Sequence, residues 1–148
     1  MRFHLIDKVD SYEPASWIKA RKLTSSSESF WEDTAAGPVM PPSLVLEALC
    51  QAGTWLVMIT TDRRKRAALL SIADVEFLKQ VVPGDVLELY GTVDTMGDEV
   101  AVVSGTVSVE GELVLRATEI MCALIDAGDL ADLEDTRRLQ DMLTRGLT

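Results

Sequence analysis

Length, composition and charge limit the kinds of protein that this chain can be. Its 148 residues, 47% of them hydrophobic, suffice for one domain with a sizeable core, so disorder is not the default interpretation. The formal net charge of −10 argues against nucleic acid as the main partner.

The N-terminal part of the chain predicts a β-hairpin followed by a loop. Residues 3–12 and 16–23 are two strand candidates separated by a Glu-Pro turn signal. Residues 24–37 begin with a run of serine and threonine and are predicted to form a loop. Phe30 and Trp31 in this loop are too large to leave in water without cost, so the loop is expected to pack against the domain.

Residues 38–60 are the most apolar segment and predict one long buried helix. It is expected to begin near Met40 to Pro42, because proline is tolerated in a first helical turn, and to end before the cationic residues 63–66. Four polar side chains at spacings of four, four and three share one face of this helix: Ser43, Glu47, Gln51 and Thr54. A carboxylate on a buried helix is costly to desolvate, so Glu47 calls for a functional or a structural explanation.

The remainder of the chain predicts a sheet and a C-terminal helix. Residues 67–80, 86–95, 100–109 and 113–125 are four strand candidates joined by short turns, which indicates a long antiparallel meander. The predicted fold class is therefore α+β, with one long central helix wrapped by a curved antiparallel sheet over residues 1–125. Residues 126–148 are charged with leucines at helical spacing, and form either an amphipathic helix, packed on the domain or a partner subunit, or a solvated tail.

The cysteines and the N-terminal residues indicate the cellular location of the protein. Cys50 and Cys122 lie in apolar runs and are expected to be free thiols of a cytoplasmic protein, with a disulfide as the alternative. The charges at Asp7 and Lys8 interrupt the place where a signal peptide has its apolar region, so no signal peptide is expected. The apolar helix is interrupted by polar residues, so no membrane span is expected, and one histidine with two distant cysteines predicts no metal site.

Four short motifs occur in a characteristic order. They are LIDKV at residues 5–9; PVMP at 38–41 followed by LEAL at 46–49 and QA at 51–52; Phe77 followed by VVPGD at 81–85; and MCA at 121–123. Together they resemble the β-hydroxyacyl-acyl-carrier-protein dehydratases of the FabA/FabZ family, and most closely the FabZ type. The resemblance covers residues 3–125 and implies the hotdog fold, with dimerisation through the sheet. The strand and helix pattern agrees with that fold.

The resemblance also implies a pair of catalytic residues. In the family, a loop histidine and a helix carboxylate from opposite subunits eliminate water from the substrate. The carboxylate matches Glu47, whose place on a buried helix fits a raised pKa and the role of proton donor. The family histidine lies fourteen residues earlier, where this chain has Asp33. Asp33 is therefore either a base or water-activating group, or an ordinary loop residue.

A second departure from the family lies at the start of the helix. The family has a glycine after the second proline of PVMP, and its backbone N–H binds the thioester carbonyl of the substrate. This chain has Pro42 there, which has no N–H to donate. The loss of such a donor costs on the order of 3 kcal/mol of transition-state stabilisation.

The remaining substrate-binding candidates surround the carboxylate: Gln51, Pro42, Gly37, Trp31 and Phe30. Gln51 is expected to orient Glu47 from one turn further along the helix, or else to be a core amide bonded to backbone. Phe30 and Trp31 either line an acyl tunnel or pack in the core. His4, the only histidine, is a further candidate base, and otherwise a strand residue at the surface.

Several basic residues are candidates for carrier-protein docking: Arg63, Arg64, Lys65, Arg66 and Lys79. They are expected to receive an acidic carrier protein or the phosphate of a phosphopantetheine arm, unless the run at 63–66 is only a solvated helix cap. No cofactor is implied apart from the phosphopantetheine that carries the substrate.

Three functions follow from these features. The first is a 3-hydroxyacyl-acyl-carrier-protein dehydratase-like protein of fatty-acid or related acyl-chain synthesis, binding acyl-carrier-protein or acyl-CoA thioesters as a homodimer or higher oligomer. The second is a non-catalytic accessory subunit that pairs with another hotdog protein or binds the acyl carrier protein. The third is an acyl thioesterase in which Asp33 or Glu47 activates water.

Overall fold

One long helix lies against a six-stranded antiparallel sheet in this computed structural model, which describes residues 4–127 and 133–147. The elements of these two ranges are β1 (Lys8–Glu13), β2 (Trp17–Leu23), β3 (Glu32–Thr34), β4 (Gly37–Val39), α1 (Pro42–Thr60), β5 (Lys65–Phe77), β6 (Val86–Met96), β7 (Val100–Val109), β8 (Glu112–Asp126) and α2 (Leu133–Leu143). The predicted α+β architecture with a central helix is confirmed.

The order of the strands differs from a simple meander. The sheet runs β1-β2-β6-β7-β8-β5, so the three strands β6, β7 and β8 form successive hairpins while β5 joins at the far edge beside β8. The expectation that β5 pairs with β6 is therefore wrong. The segment after β5 instead crosses under the start of α1, where Val81 is buried and its carbonyl accepts a hydrogen bond from the Met40 N–H at 2.8 Å.

The core lies between α1 and the concave face of the sheet. Ala48, Ala52 and Leu56 are fully buried on the sheet-facing side of the helix. They pack in one cluster with inward-facing strand residues, among them Ile18, Leu87, Leu89, Val107, Leu115 and Ile120. By length and composition alone α1 would pass as a membrane span, but half of it is buried inside the fold.

A glycine in the sheet allows the helix to approach closely. A Cβ atom at Gly105 would lie 2.4 Å from the Tyr90 carbonyl oxygen and 2.8 Å from Cδ1 of Leu49. No side chain fits at this position without a backbone shift, because real Cβ atoms do not approach other heavy atoms so closely.

The N-terminal segment is strand over a shorter length than predicted. β1 begins at Lys8, and Phe3 lies outside the described residues. Leu5 and Ile6 are both buried although they are consecutive, which is incompatible with the alternation of a strand with one solvated face. The Leu5 N–H instead donates to Oε1 of Gln51 at 2.8 Å, so this segment runs beside α1.

The predicted loop at residues 24–37 contains a small hairpin. β3 and β4 pair with Glu32 opposite Val39 and Thr34 opposite Gly37. Gly37 has φ +112°, a conformation that glycine adopts without strain, and Oγ1 of Thr34 donates to its carbonyl at 2.6 Å. The assignment of this stretch as loop alone is therefore wrong at its C-terminal end.

A buried lysine anchors the other end of that loop. Lys22 is almost fully buried, and its Nζ donates to Oε1 of Glu28 at 2.7 Å and to the carbonyl of Leu23 at 2.6 Å. A buried ammonium group requires such partners because desolvation is costly. The ion pair joins the loop to β2.

α2 packs on its own chain. Leu143 is buried, and Leu139 and Leu147 pack against the central core cluster. Nη1 of Arg63, just after α1, lies 3.4 Å from Oε1 of Gln140 on α2. The prediction of an amphipathic C-terminal helix is confirmed for the residues that are described, while residues 128–132 and 148 of the predicted tail lie outside them.

Candidate active site

The polar stripe of α1 lies on the side of the helix that the sheet does not cover. Ser43 and Glu47 are exposed, whereas Gln51 and Thr54 are half-buried. The prediction that these side chains share one face is confirmed. The expectation that Glu47 is desolvated is wrong for a single chain, because the sheet wraps only the opposite face of the helix.

The Glu47 carboxylate is oriented by a short hydrogen-bond relay. The Leu5 N–H donates to Oε1 of Gln51, which fixes the orientation of the amide. The amide nitrogen Nε2 of Gln51 then donates to Oε1 of Glu47 at 3.1 Å. This places Gln51 where the sequence predicted it, one turn after the carboxylate, and joins the N-terminal segment to Glu47.

A cysteine lies beside this carboxylate. Cys50 is half-buried on α1, and burial, together with the nearby charge of Glu47 and the thiol of Cys122, raises the pKa of its thiol to about 12. The group is therefore protonated at neutral pH and is a poor nucleophile. Cys50 and Cys122 are both free, which confirms the prediction of free thiols.

The first turn of α1 has few groups that could bind a substrate carbonyl. Pro41 is the N-cap residue and Pro42 the first helical residue, and no side chain caps the helix. The Pro41 carbonyl accepts from the N–H groups of Leu44 and Val45 at 2.9 and 3.3 Å. Because neither proline has an N–H, the first backbone donor of this helix belongs to Ser43.

A cavity of about 460 Å³ lies beside this helix start. It is enclosed by the β3–β4 hairpin, the first turn of α1, the end of β5 and the segment after β5. The residues that line it are Glu32, Thr34, Val39, Met40, Pro42, Val45, Phe77, Leu78, Lys79, Gln80, Val81 and Val114. Apolar side chains predominate, and Glu32 and Lys79 are the charged residues among them, as in many ligand sites.

The hairpin directs a different carboxylate into this cavity from the one expected. Successive side chains of a strand point to opposite faces, so Glu32 and Thr34 share a face while Asp33 lies on the other. All three side chains of β3 are exposed; Glu32 and Thr34 line the mouth of the cavity, and Asp33 is not among its lining residues. Glu32 was not a sequence candidate, because a three-residue strand is too short to give a periodic pattern.

Glu47 does not face the cavity of its own chain. Successive helical residues are separated by about 100°, which places Glu47 about 140° around the helix from Pro42. Pro42 and Val45 line the cavity, and Glu47 does not. Glu47 and the hairpin side chains that line the cavity therefore do not meet there within one chain.

The two aromatic candidates pack in the core. Phe30 and Trp31 contact each other with ring centroids 4.9 Å apart, and both pack against the central cluster. Nε1 of Trp31 donates to the carbonyl of Ser25 at 2.9 Å. Neither ring lines the cavity, so the position of both rings agrees with packing against the core. Gly37 begins β4 within the hairpin and His4 is exposed near the N-terminus.

The predicted docking residues do not form one patch in a single chain. Lys79 lines the cavity just after β5, whereas residues 63–66 lie at the opposite end of that 13-residue strand. The two ends are about 40 Å apart at the usual rise of a strand. Lys79 is held by Glu112, with Nζ 2.6 Å from Oε2, and this hydrogen bond raises the pKa of Lys79 and lowers that of Glu112.

Residues 63 and 64 border a groove of mixed charge. It has a volume of about 930 Å³ and is lined by Asp62, Arg63, Arg64, Asp126, Glu134, Arg137, Arg138 and Asp141. Arginines and carboxylates are equal in number, so the groove has no excess of positive charge. Lys65 is also neutralised locally, because its Nζ lies 2.8 Å from Oδ1 of Asp126.

A model of the FabA-like domain matches residues 1–118. The chain belongs to the FabA-like family. The 3-hydroxyacyl-[acyl-carrier-protein] dehydratase FabZ of Mannheimia succiniciproducens is 35% identical over 125 residues, which are 82% of this chain and 82% of that protein. FabZ of Roseiflexus castenholzii is 37% identical over 76% of this chain and 84% of that protein.

Other FabA-like relatives match over a shorter range. FabZ of Nitratidesulfovibrio vulgaris strain Miyazaki F is 44% identical over 92 residues, and the chain spans 60% of the length of that protein. Solved structures share the fold at low identity. A Streptococcus mutans protein bound to acetyl-CoA has a TM-score of 0.65 at 20% identity, covering 83% of this chain and 92% of that one. A Haemophilus influenzae thioesterase has a TM-score of 0.61 at 15% identity, covering 79% and 77%.

Proposed function

We propose that this FabA-like chain is a 3-hydroxyacyl thioester dehydratase that acts on substrates carried by acyl carrier protein or coenzyme A. The observation that carries the proposal is the oriented carboxylate of Glu47 on the uncovered face of α1. Gln51 holds one oxygen of that carboxylate and is itself held by the Leu5 backbone. This is the arrangement required of a group that delivers a proton to a leaving hydroxyl. The curated relatives named above are FabZ dehydratases.

In this reaction Glu47 protonates the departing hydroxyl group and a hairpin carboxylate removes the α-proton. Asp33 occupies the position that matches the family histidine, so it is the sequence-based candidate for the base, directly or through a water. A carboxylate is a weaker base than an imidazole near neutral pH. We therefore expect a low rate or a pH optimum different from that of enzymes that retain the histidine and the glycine replaced by Pro42.

The proposed active unit is a dimer joined at the edge of the sheet. β5 pairs with β8 on one side, and no described strand pairs with its other side. Leu69, Leu70 and Phe77 of this strand are each at least half exposed. A long edge strand with apolar side chains is a site where another strand can pair. The simplest partner is the same strand, β5, of a second copy of the chain. That copy would supply the Glu47 that faces away from the cavity of its own chain.

Two groups of basic residues are proposed to contact the carrier. Lys79 lines the cavity, which places an ammonium group where the phosphate of a phosphopantetheine arm could enter. Residues 63–66 remain the predicted contact for the acidic surface of a carrier protein. The two free thiols fit the proposed cytoplasmic location.

The test is turnover of 3-hydroxyacyl and enoyl thioesters by the purified full chain. Enoyl formation, its reverse hydration and thiol release are measured separately, for wild type and Glu47→Ala. We expect enoyl formation that is lost in Glu47→Ala. Equal rates in the two proteins contradict the proposal, and thiol release without enoyl formation identifies a thioesterase. No turnover alone, but turnover with a co-purified dehydratase subunit, identifies an accessory subunit.

A further inference from the structure

The β3–β4 hairpin presents two neighbouring carboxylates to opposite sides. Glu32 pairs across the hairpin with Val39, which is buried and lines the cavity, whereas Asp33 pairs with Pro38, which is exposed. We propose that Glu32, and not Asp33, is the base that removes the α-proton of the substrate. The inference rests on the proposed dehydratase function and identifies one of its two reacting groups.

The hairpin that carries Glu32 is held by hydrogen bonds at both of its ends. At the turn, Oγ1 of Thr34 donates to the Gly37 carbonyl at 2.6 Å and accepts from the Ala36 N–H at 3.3 Å. At the other end, the Met40 N–H donates to the Val81 carbonyl at 2.8 Å, which ties the strand after the turn to the cavity wall. A change of face for Glu32 would require a one-residue slip of the whole hairpin.

The carboxylate of Glu32 has no partner within the part of the chain that the structure describes: it makes no hydrogen bond and no ion pair there. The other charged residue of the cavity, Lys79, is engaged by Glu112 at 2.6 Å. Glu32 is therefore not held in a structural contact, and its carboxylate is accessible to a substrate.

The cavity provides the surroundings that such a base needs. Val39, Met40 and Val81 are buried in its wall, so an acyl chain could lie against apolar surface beside Glu32. Pro42 lines the same cavity at the start of α1. The substrate carbon next to the thioester would thus lie between the hairpin and the helix start.

The proposed step is balanced in protons and electrons. A carboxylate oxygen of Glu32 takes the proton from C2 of the 3-hydroxyacyl thioester. The C2–H electron pair becomes the second bond between C2 and C3, and the C3–O bond breaks. The leaving hydroxyl takes a proton from Glu47 of a second copy and departs as water. Glu32 ends protonated and Glu47 ionised, and exchange with solvent restores both.

The test compares Glu32→Gln with Asp33→Asn in the full chain. The two substitutions remove the same charge from adjacent residues on opposite faces of one strand, so each is the matched control of the other. We expect Glu32→Gln to lower the rate of enoyl formation by about 100-fold, the lower range for loss of a general base, and Asp33→Asn to change it by less than about twofold. Loss of activity in Asp33→Asn with an active Glu32→Gln protein overturns the inference.

A gain-of-function substitution is the second part of this test. Glu32→His places an imidazole, a stronger base at neutral pH, beside the cavity, whereas Asp33→His places it on the opposite face of the strand. We expect turnover at pH 7 to exceed that of wild type in Glu32→His and not in Asp33→His. A gain in Asp33→His alone overturns the inference, as does a wild-type rate in Glu32→Gln; both leave the dehydratase function standing. No turnover in any of these proteins overturns the proposed function, and the inference with it.

Discussion

The two faces of α1 differ in how far a single chain completes them. On the face toward the sheet, Ala48, Ala52 and Leu56 are fully buried. On the opposite face, Ser43 and Glu47 are exposed. The same helix thus completes a core on one side and leaves polar groups accessible on the other. The buried residues of the core and the residues proposed for catalysis therefore lie on different faces of one helix.

The uncovered face is not polar throughout. Leu46 and Cys50 border this face on one side; both are half-buried and pack against the core cluster. A helix with apolar residues on two faces has more apolar surface than its own sheet covers. In the proposed dimer, a second chain would cover this face and with it the side chain of Glu47. Substitutions on the two faces should separate activity from folding.

The largest effect is expected from Glu47→Gln. The amide keeps the shape of the side chain and cannot deliver a proton, so enoyl formation should fall by about 10³-fold, within the range for loss of a general acid. The unfolding free energy should change by less than about 0.5 kcal/mol because the side chain is exposed. Turnover assays and urea unfolding measure the two quantities. A large loss of stability would show that Glu47 is structural.

The second-largest effect is expected on the face of α1 that the sheet covers. Leu56→Ala should lower the unfolding free energy by about 3 kcal/mol, because it leaves a cavity in a fully buried site. Leu46→Ala, at a half-buried site of the same helix, is the control and should cost less than half as much. Urea unfolding of both variants at equal protein concentration provides the comparison. Equal losses would mean that Leu46 is as deeply buried in solution as Leu56.

The bounds of several helices and strands could be predicted from the sequence. α1 was expected near Met40 to Pro42 and begins at Pro42, because two prolines and an apolar run mark the start of a buried helix. β7 agrees with the prediction at both ends, since its alternation is regular and turn residues flank it. Such periodicity is a local property, and it survives folding when the packing of the element agrees with it.

The direction of the hairpin carboxylates could not be predicted in the same way. β3 and β4 are each three residues long, too short for a periodic pattern to register. Counting back from Glu47 locates Asp33 in sequence, but only the pairing of the hairpin shows that Glu32 is the residue facing the cavity. The position of β5 beside β8 and the burial of Lys22 likewise depend on contacts between distant segments.

A smaller effect, a gain in turnover, is expected from Pro42→Ala in the first turn of α1. The substitution restores a backbone N–H where the sequence resemblance implies a donor to the thioester carbonyl, and a full donor is worth about 10²-fold or more. Because the rest of this helix start has not been selected to aim such an N–H at the carbonyl, we expect a smaller gain of about tenfold in turnover. Pro41→Ala is the control, since it adds an N–H one residue earlier and should give no gain. Equal gains from both would point to a general loosening of the helix start.

The smallest effect lies at the border between the two faces, at Cys50. Its thiol has a pKa raised to about 12, mainly by burial, whereas a free cysteine titrates near about 8.5. The thiolate is the reactive form, so alkylation of Cys50 in the folded protein should be slow at pH 8 and rise about tenfold per pH unit above it. Peptide mass spectrometry follows the rate, and the urea-unfolded chain supplies the reference. Alkylation at pH 8 as fast as in the unfolded chain would place Cys50 in water, and the uncovered face would then extend further around α1 than the burial of this thiol indicates.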